Sequence, residues 1–106
     1  MALFDFLKRP SFNDLLKEYL NTPNSVLIDV RTAREYSGGH VPKSVNIPLH
    51  EIDSIASAVP DKNTAVFVYC QSGVRSRQAA DRLKEMGYTD VKNLGGISSY
   101  KGSLES

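Results

Sequence analysis

Apolar and polar positions along the chain fall into segments whose lengths separate strands from helices. Val26 to Val30, VLIDV, is a short apolar run broken only by Asp29. A run of that length suits a strand buried on both faces of a sheet. Thr64 to Cys70, TAVFVYC, is the clearest strand, dense in β-branched and aromatic residues. Val91 to Leu94 predicts a last short strand, closed by Gly95 and Gly96. Helical spacing appears between and before these runs. Ser11 is placed to cap a helix in which Leu15, Leu16, Tyr19 and Leu20 share a face, and Asn21 to Asn24 stop it. Ile52, Ile55 and Ala56 predict a short helix ending near Pro60 and the turn-rich Asp61, Lys62 and Asn63. From about Ser76 to Met86, Ala79, Ala80, Leu83 and Met86 line one face with charges opposite, and Gly87 stands where a left-handed cap is expected. The stretch from Arg31 to Asn46 carries little periodicity.

Strands alternating with helices predict an α/β domain with a mainly parallel central sheet and right-handed crossovers. In such sheets ligands bind beyond the carboxyl ends of the strands, and Cys70 stands at such an end. The 106 residues fit one domain over 1–106, with a core from about residue 11 to 102. With 41% hydrophobic and 24% charged residues the composition is that of a globular protein, and the formal net charge of +1 gives no field that would recruit nucleic acid. The lone cysteine has no second thiol to pair with, which suits a reducing compartment. The opening MALFDFLKRP lacks the layout of a signal peptide, and no apolar run approaches the roughly 20 residues that span a bilayer. The expectation is a cytoplasmic protein without a membrane span, with Ala2 to Leu7 packing on the domain's own surface.

The chemistry concentrates in CQSGVRSR, residues 70–77, which leaves a strand, turns through Gly73 and opens a helix. A loop of this kind can aim the backbone N–H groups of Gln71, Ser72, Gly73, Val74 and Arg75 at the Cys70 sulfur. The positive end of the following helix and the Arg75 guanidinium add to that field, with Arg77 as a further cation. Such surroundings lower a cysteine pKa from about 8.5 and supply thiolate near neutrality. A thiolate can attack an electron-poor sulfur and become a persulfide.

This loop resembles the active-site loop of rhodanese domains, in which a cysteine opens a six-residue loop that ends in arginine or a similar residue. Asp29 to Leu49, DVRTAREYSGGHVPKSVNIPL, resembles the signature those domains carry upstream, matching at Asp29, Arg31, Glu35, Tyr36, Gly39, His40, Val41, Pro42, Asn46, Ile47 and Pro48. LGGISSYKG resembles the family's closing motif. The resemblance implies the rhodanese-like fold, a parallel sheet flanked by helices on both faces, and sulfur transfer through a persulfide. It carries catalysis over to Cys70 and Arg75, and the substrate-binding loop to Gln71, Ser72, Gly73 and Val74, with neither metal nor cofactor. The implied partners are a small sulfur donor, thiosulfate or a persulfide, and a thiol or cyanide acceptor, with a protein as a possible donor or acceptor. Four positions depart from the pattern. Tyr100 stands where many members place tryptophan, Lys43 replaces a common glycine, and the neutral Gln71 and Ser72 suit a persulfide donor at least as well as thiosulfate.

Other polar residues read as structural. His40 is expected to make a fixed hydrogen bond, His50 to lie on the surface near a helix start, and Asp29 to pair with an arginine such as Arg31 or Arg77. Glu35 is read in the same way, while Arg75 is expected beside the sulfur. Two rival functions stand against sulfur transfer. A phosphatase or arsenate reductase would use a similar loop with one more residue, whereas four residues separate Cys70 from Arg75 here. A non-catalytic interaction module would typically lack the cysteine.

Overall fold

A computed structural model describes residues 10–106; the expectation for Ala2 to Leu7 lies outside them. The four strands are β1, Val26–Asp29; β2, Val45–Asn46; β3, Val66–Cys70; and β4, Val91–Gly96. They form one parallel sheet in the order β2-β1-β3-β4. The two central strands carry the two apolar runs of the sequence, and all five residues of β3 are buried. The absence of alternation is therefore physical: both faces of these strands are covered.

Period two still operates within the sheet. Val66, Val68 and Cys70 of β3 face one core with Ile28, Val30, Ile52, Ile55, Ala79 and Leu83. Phe67 and Tyr69 face the other, with Phe12, Leu27, Val41, Leu94 and Ile97. The second core is covered by α1, Phe12–Leu20, whose Phe12 and Tyr19 rings meet Tyr69 and Phe67 edge-on at 5.6 Å between centroids in both pairs. Ser11 caps α1 as expected, in a reciprocal capping box with Asp14.

The segment without periodicity holds two elements: α2, Ala33–Ser37, and the edge strand β2. Five residues and two residues are too short for a repeating pattern to show. Their signals are local instead. Thr32 and Glu35 form a capping box at the start of α2, and the Asn46 side chain donates to the carbonyls of Asp29 and Arg31 at 2.9 Å each, which ties β2 to β1. Lys43, in the place of the family's glycine, adopts a left-handed backbone at φ +75°, at a cost of about 1 kcal/mol.

A 3-10 helix, Leu49–Ser54, runs into α3, Ile55–Ala58, and together they form the short helix expected around Ile52. The long helix α4 spans Val74–Glu85, opening two residues before the expected start. Past its end Gly87 donates to the Lys84 carbonyl at 3.0 Å and Tyr88 to that of Leu83 at 3.1 Å, the paired bonds of a Schellman motif. A second 3-10 helix, Ile97–Ser99, follows β4. Tyr100, at the tryptophan position, packs on Phe12 with centroids 5.9 Å apart.

Candidate active site

Strand β3 delivers Cys70 at its carboxyl end, on the face covered by α4, and the chain turns back at once to enter that helix. Gly73 makes the turn at φ +98°, a conformation costly for any residue with a Cβ. The floor of the loop is set by β4. A register shift between Val68 and Tyr69 brings Gly95 opposite Tyr69 and Gly96 opposite Cys70. There the two backbones nearly touch: a Cβ on Gly96 would lie 2.5 Å from the Gln71 carbonyl oxygen and 2.9 Å from Ser72 Cα. Gly95 and Gly96, expected to close the last strand, are instead part of it and support the loop.

Cys70 is fully buried. Its Sγ accepts the Gly73 N–H at 2.9 Å. Burial alone would push the thiol pKa up, yet the net shift is downward. The Ser76 hydroxyl opposes burial most strongly, followed by the backbone amides of Ser76, Gly73 and Ser72. Hydrogen-bond donors thus outweigh desolvation, which is the condition for a buried thiolate. Ser76 is itself fully buried, and its hydroxyl lies 3.1 Å from the Gly73 carbonyl oxygen, to which it donates.

Arg75, expected as a cation beside the sulfur, is also ion-paired. Its Nη1 and Nη2 grip the two oxygens of Glu35 at 2.7 and 3.0 Å. That pairing, led by the Arg75 hydrogen bonds, holds the Glu35 carboxyl down to about 2. Arg75 still feels the Cys70 charge, though less than it feels Glu35. Helix geometry explains the part that Ser76 plays. Val74, Arg75 and Ser76 are the first three residues of α4, and the third places both a free amide and a short hydroxyl at the helix mouth. The sequence signal for Ser76 is its position in that first turn.

The remaining polar residues behave as structural groups. Asp29 pairs with Arg31, not Arg77: Arg31 Nη2 lies 2.8 Å from Oδ2, and both side chains are buried. Arg31 also donates to the Gly39 carbonyl at 2.7 Å and reaches Gln71 Oε1 at 3.4 Å, so the buried pair touches the loop. His40 stacks on Tyr36 with centroids 3.7 Å apart, its Nδ1 lying 2.8 Å from the Tyr36 carbonyl oxygen. His50 is exposed beside Glu51. Among the described residues, no three His, Cys, Asp or Glu side chains gather as a metal site would require, and no helix is long and apolar enough to cross a membrane.

The rhodanese-like domain family model matches residues 12–103. The chain belongs to the rhodanese-like domain family. Thiosulfate sulfurtransferase PspE of Escherichia coli (strain K12) is 54% identical over 71 residues, covering 66% of this chain and 68% of that protein. A sulfurtransferase of Allochromatium vinosum is 38% identical over 87 residues, with 81% and 80% covered. Among solved structures, a rhodanese with anions from E. coli superposes with a TM-score of 0.72 at 46% identity, covering 77% of this chain and 98% of its own. The parallel sheet with helices on both faces is thus the rhodanese fold. Of the loop residues expected from the resemblance, Gln71, Ser72 and Val74 lie exposed at the rim, Gly73 bonds the sulfur and Arg75 is turned to Glu35. Ser76 and Gly96 complete the arrangement and were not singled out by motif.

Proposed function

We propose that this rhodanese-domain protein is a sulfurtransferase that carries sulfane sulfur as a persulfide on Cys70. The observation that carries the reading is a lone buried sulfur that accepts the Gly73 N–H at the mouth of a helix, with Ser72 and Ser76 helping to hold its pKa down against burial. In the first half-reaction the Cys70 thiolate attacks the outer sulfur of the donor. The new S–S bond forms as the donor's own sulfur–sulfur bond breaks, and its electron pair leaves with sulfite when the donor is thiosulfate, or with a thiolate when it is a persulfide. In the second, cyanide or a thiolate takes the terminal sulfur, and the S–S pair returns to Cys70. In each half one bond to the transferred sulfur forms as another breaks and the electron pair leaves with the departing group, so no external oxidant is needed.

Gln71, Ser72, Gly73 and Val74 form the substrate-binding loop in this reading, and Arg75 is the loop's cation, tempered by Glu35. The amides and the Ser76 hydroxyl that favour thiolate would also favour the terminal persulfide sulfur, because both are anions in the same cradle. A lone cysteine cycling between thiolate and persulfide suits a reducing, cytoplasmic setting. The partners are a small sulfur donor and a thiol or cyanide acceptor, with a protein persulfide as a further candidate.

Intact-mass spectrometry tests this directly. Exposure to thiosulfate or an alkyl persulfide should add about 32 Da, one sulfur atom, to Cys70, and cyanide should remove it with release of thiocyanate. Cys70→Ser should fold as the parent does and show neither adduct nor turnover. Turnover by the serine variant at a comparable rate would refute the assignment.

A further inference from the structure

Both arginines that reach the Cys70 loop, one from the end of β1 and one from α4, are already ion-paired. Arg31 is buried on Asp29. Arg75 is held by both oxygens of Glu35. The Glu35 carboxylate is fixed independently of that arginine: Thr32 N–H and Oγ1 donate to its Oε1 at 3.0 and 3.1 Å, and Thr32 Oγ1 receives the Glu35 amide at 3.1 Å. A fixed anion therefore stands opposite the loop's cation, contributed by an element 40 residues away in sequence. Among the described residues, the exposed side chains of the loop itself are neutral, Gln71, Ser72 and Val74, the last 64% exposed, while Arg77 lies exposed further along α4.

A mouth of this kind does not treat all sulfur donors alike. Thiolate attack on thiosulfate gathers three negative charges at the loop, whereas attack on an organic persulfide gathers at most two, and the gain from a free cation grows with that charge. An organic persulfide also carries a carbon chain that can lie on an apolar rim. Resting on the sulfur-transfer reading above, we propose that Glu35 is a specificity-determining positioning residue: by neutralising and holding Arg75 it tunes the mouth over Cys70 to monoanionic organic persulfides against dianionic donors. Val74 supplies the apolar contact for the organic group.

Glu35→Gln separates charge from architecture, because glutamine also serves at the third position of a capping box. In this variant Arg75 regains an uncompensated charge. The kcat/KM for thiosulfate should rise on the order of tenfold, chiefly through KM, and should fall more steeply with added salt than in the parent. For a monoanionic alkyl persulfide the rise should be about threefold or less, so the ratio between the two donors shifts toward thiosulfate. Comparing Arg75→Gln with Glu35→Gln/Arg75→Gln should show the same donor ratio in both, since Glu35 acts through Arg75. The unmutated protein gives a check that needs no variant: its thiosulfate kcat/KM should respond only weakly to salt between low and physiological ionic strength. A steep salt dependence of the parent, a donor ratio unmoved in a folded Glu35→Gln, or a shift that persists without Arg75 would each overturn the proposal while leaving the persulfide carrier intact. Absence of any sulfur adduct on the parent with either donor would instead bring down both.

Discussion

Replacing Ser76 by alanine removes the strongest of the groups that hold the Cys70 thiol pKa down, and the size of the effect can be reasoned from its surroundings. In the thiol state the Ser76 hydroxyl donates to the Gly73 carbonyl at 3.1 Å. When the sulfur ionises, the same proton is better used on the anion. The lost stabilisation is therefore the difference between a bond to a charged acceptor, about 1.5–3 kcal/mol, and one to a neutral carbonyl, about 1 kcal/mol. At about 1.4 kcal/mol per decade, that difference of about 0.5–2 kcal/mol should lower thiolate abundance at pH 7 roughly two- to thirtyfold. The sign is fixed: the hydroxyl lowers the pKa, so its loss raises it and less thiolate is present at neutrality. The assay is the second-order rate of iodoacetamide alkylation between pH 5 and 10. Its midpoint should move to higher pH, and the high-pH plateau should rise slightly because a more basic thiolate is a better nucleophile. Since Cys70 is fully buried, movement of the rim that admits reagent affects the plateau but leaves the midpoint to electrostatics. The fold should survive, losing about 1 kcal/mol for the missing hydroxyl bond, since the Gly73 carbonyl still accepts the Arg77 amide at 3.1 Å. A pH profile superimposable on the parent's would refute the reasoning and assign the thiolate to the amides of the helix mouth alone.

Gly96→Ala should displace the loop from below, because its Cβ would meet backbone atoms of Gln71 and Ser72 that cannot rotate aside. The expected result is a loss of about 1–3 kcal/mol in stability and a roughly 10- to 100-fold fall in sulfur-transfer kcat/KM; unchanged thermal midpoint and rate would show that the approach is not tight. The Glu35 carboxyl, held down to about 2 by Arg75, contributes stability that is complete above its unfolded value of about 4.3 and is lost as pH falls toward 2. Urea midpoints should therefore decline through that window in the parent and decline less in Glu35→Gln, where the exposed Asp14 and Asp53 still titrate from lowered values. Parallel acid limbs in the two proteins would show that the Arg75 pair adds nothing to stability.

Local patterns along the chain settled which segments are strands, which are helices, and where the cysteine falls between them. The runs at Val26 and Val66 are legible because central parallel strands must be apolar on both faces. Ser11 and Gly87 are legible because the ends of a helix make local demands that a few neighbouring residues meet. The loop motif and its flanking signatures further sufficed to place the chain in its family. The edge strand β2 and the five-residue α2 stayed hidden, since neither is long enough to repeat a pattern. Tertiary structure alone decided how the charges are partnered. Arg75 lies five residues after Cys70 in the chain, which suggests a cation for the sulfur, yet Glu35 takes it from 40 residues away because α2 and the start of α4 meet in space. The support that Gly96 gives to Gln71 likewise depends on β4 lying beside β3 with one register shift. An ion pair or a backbone approach between distant segments leaves no periodicity behind, because it requires only one residue from each.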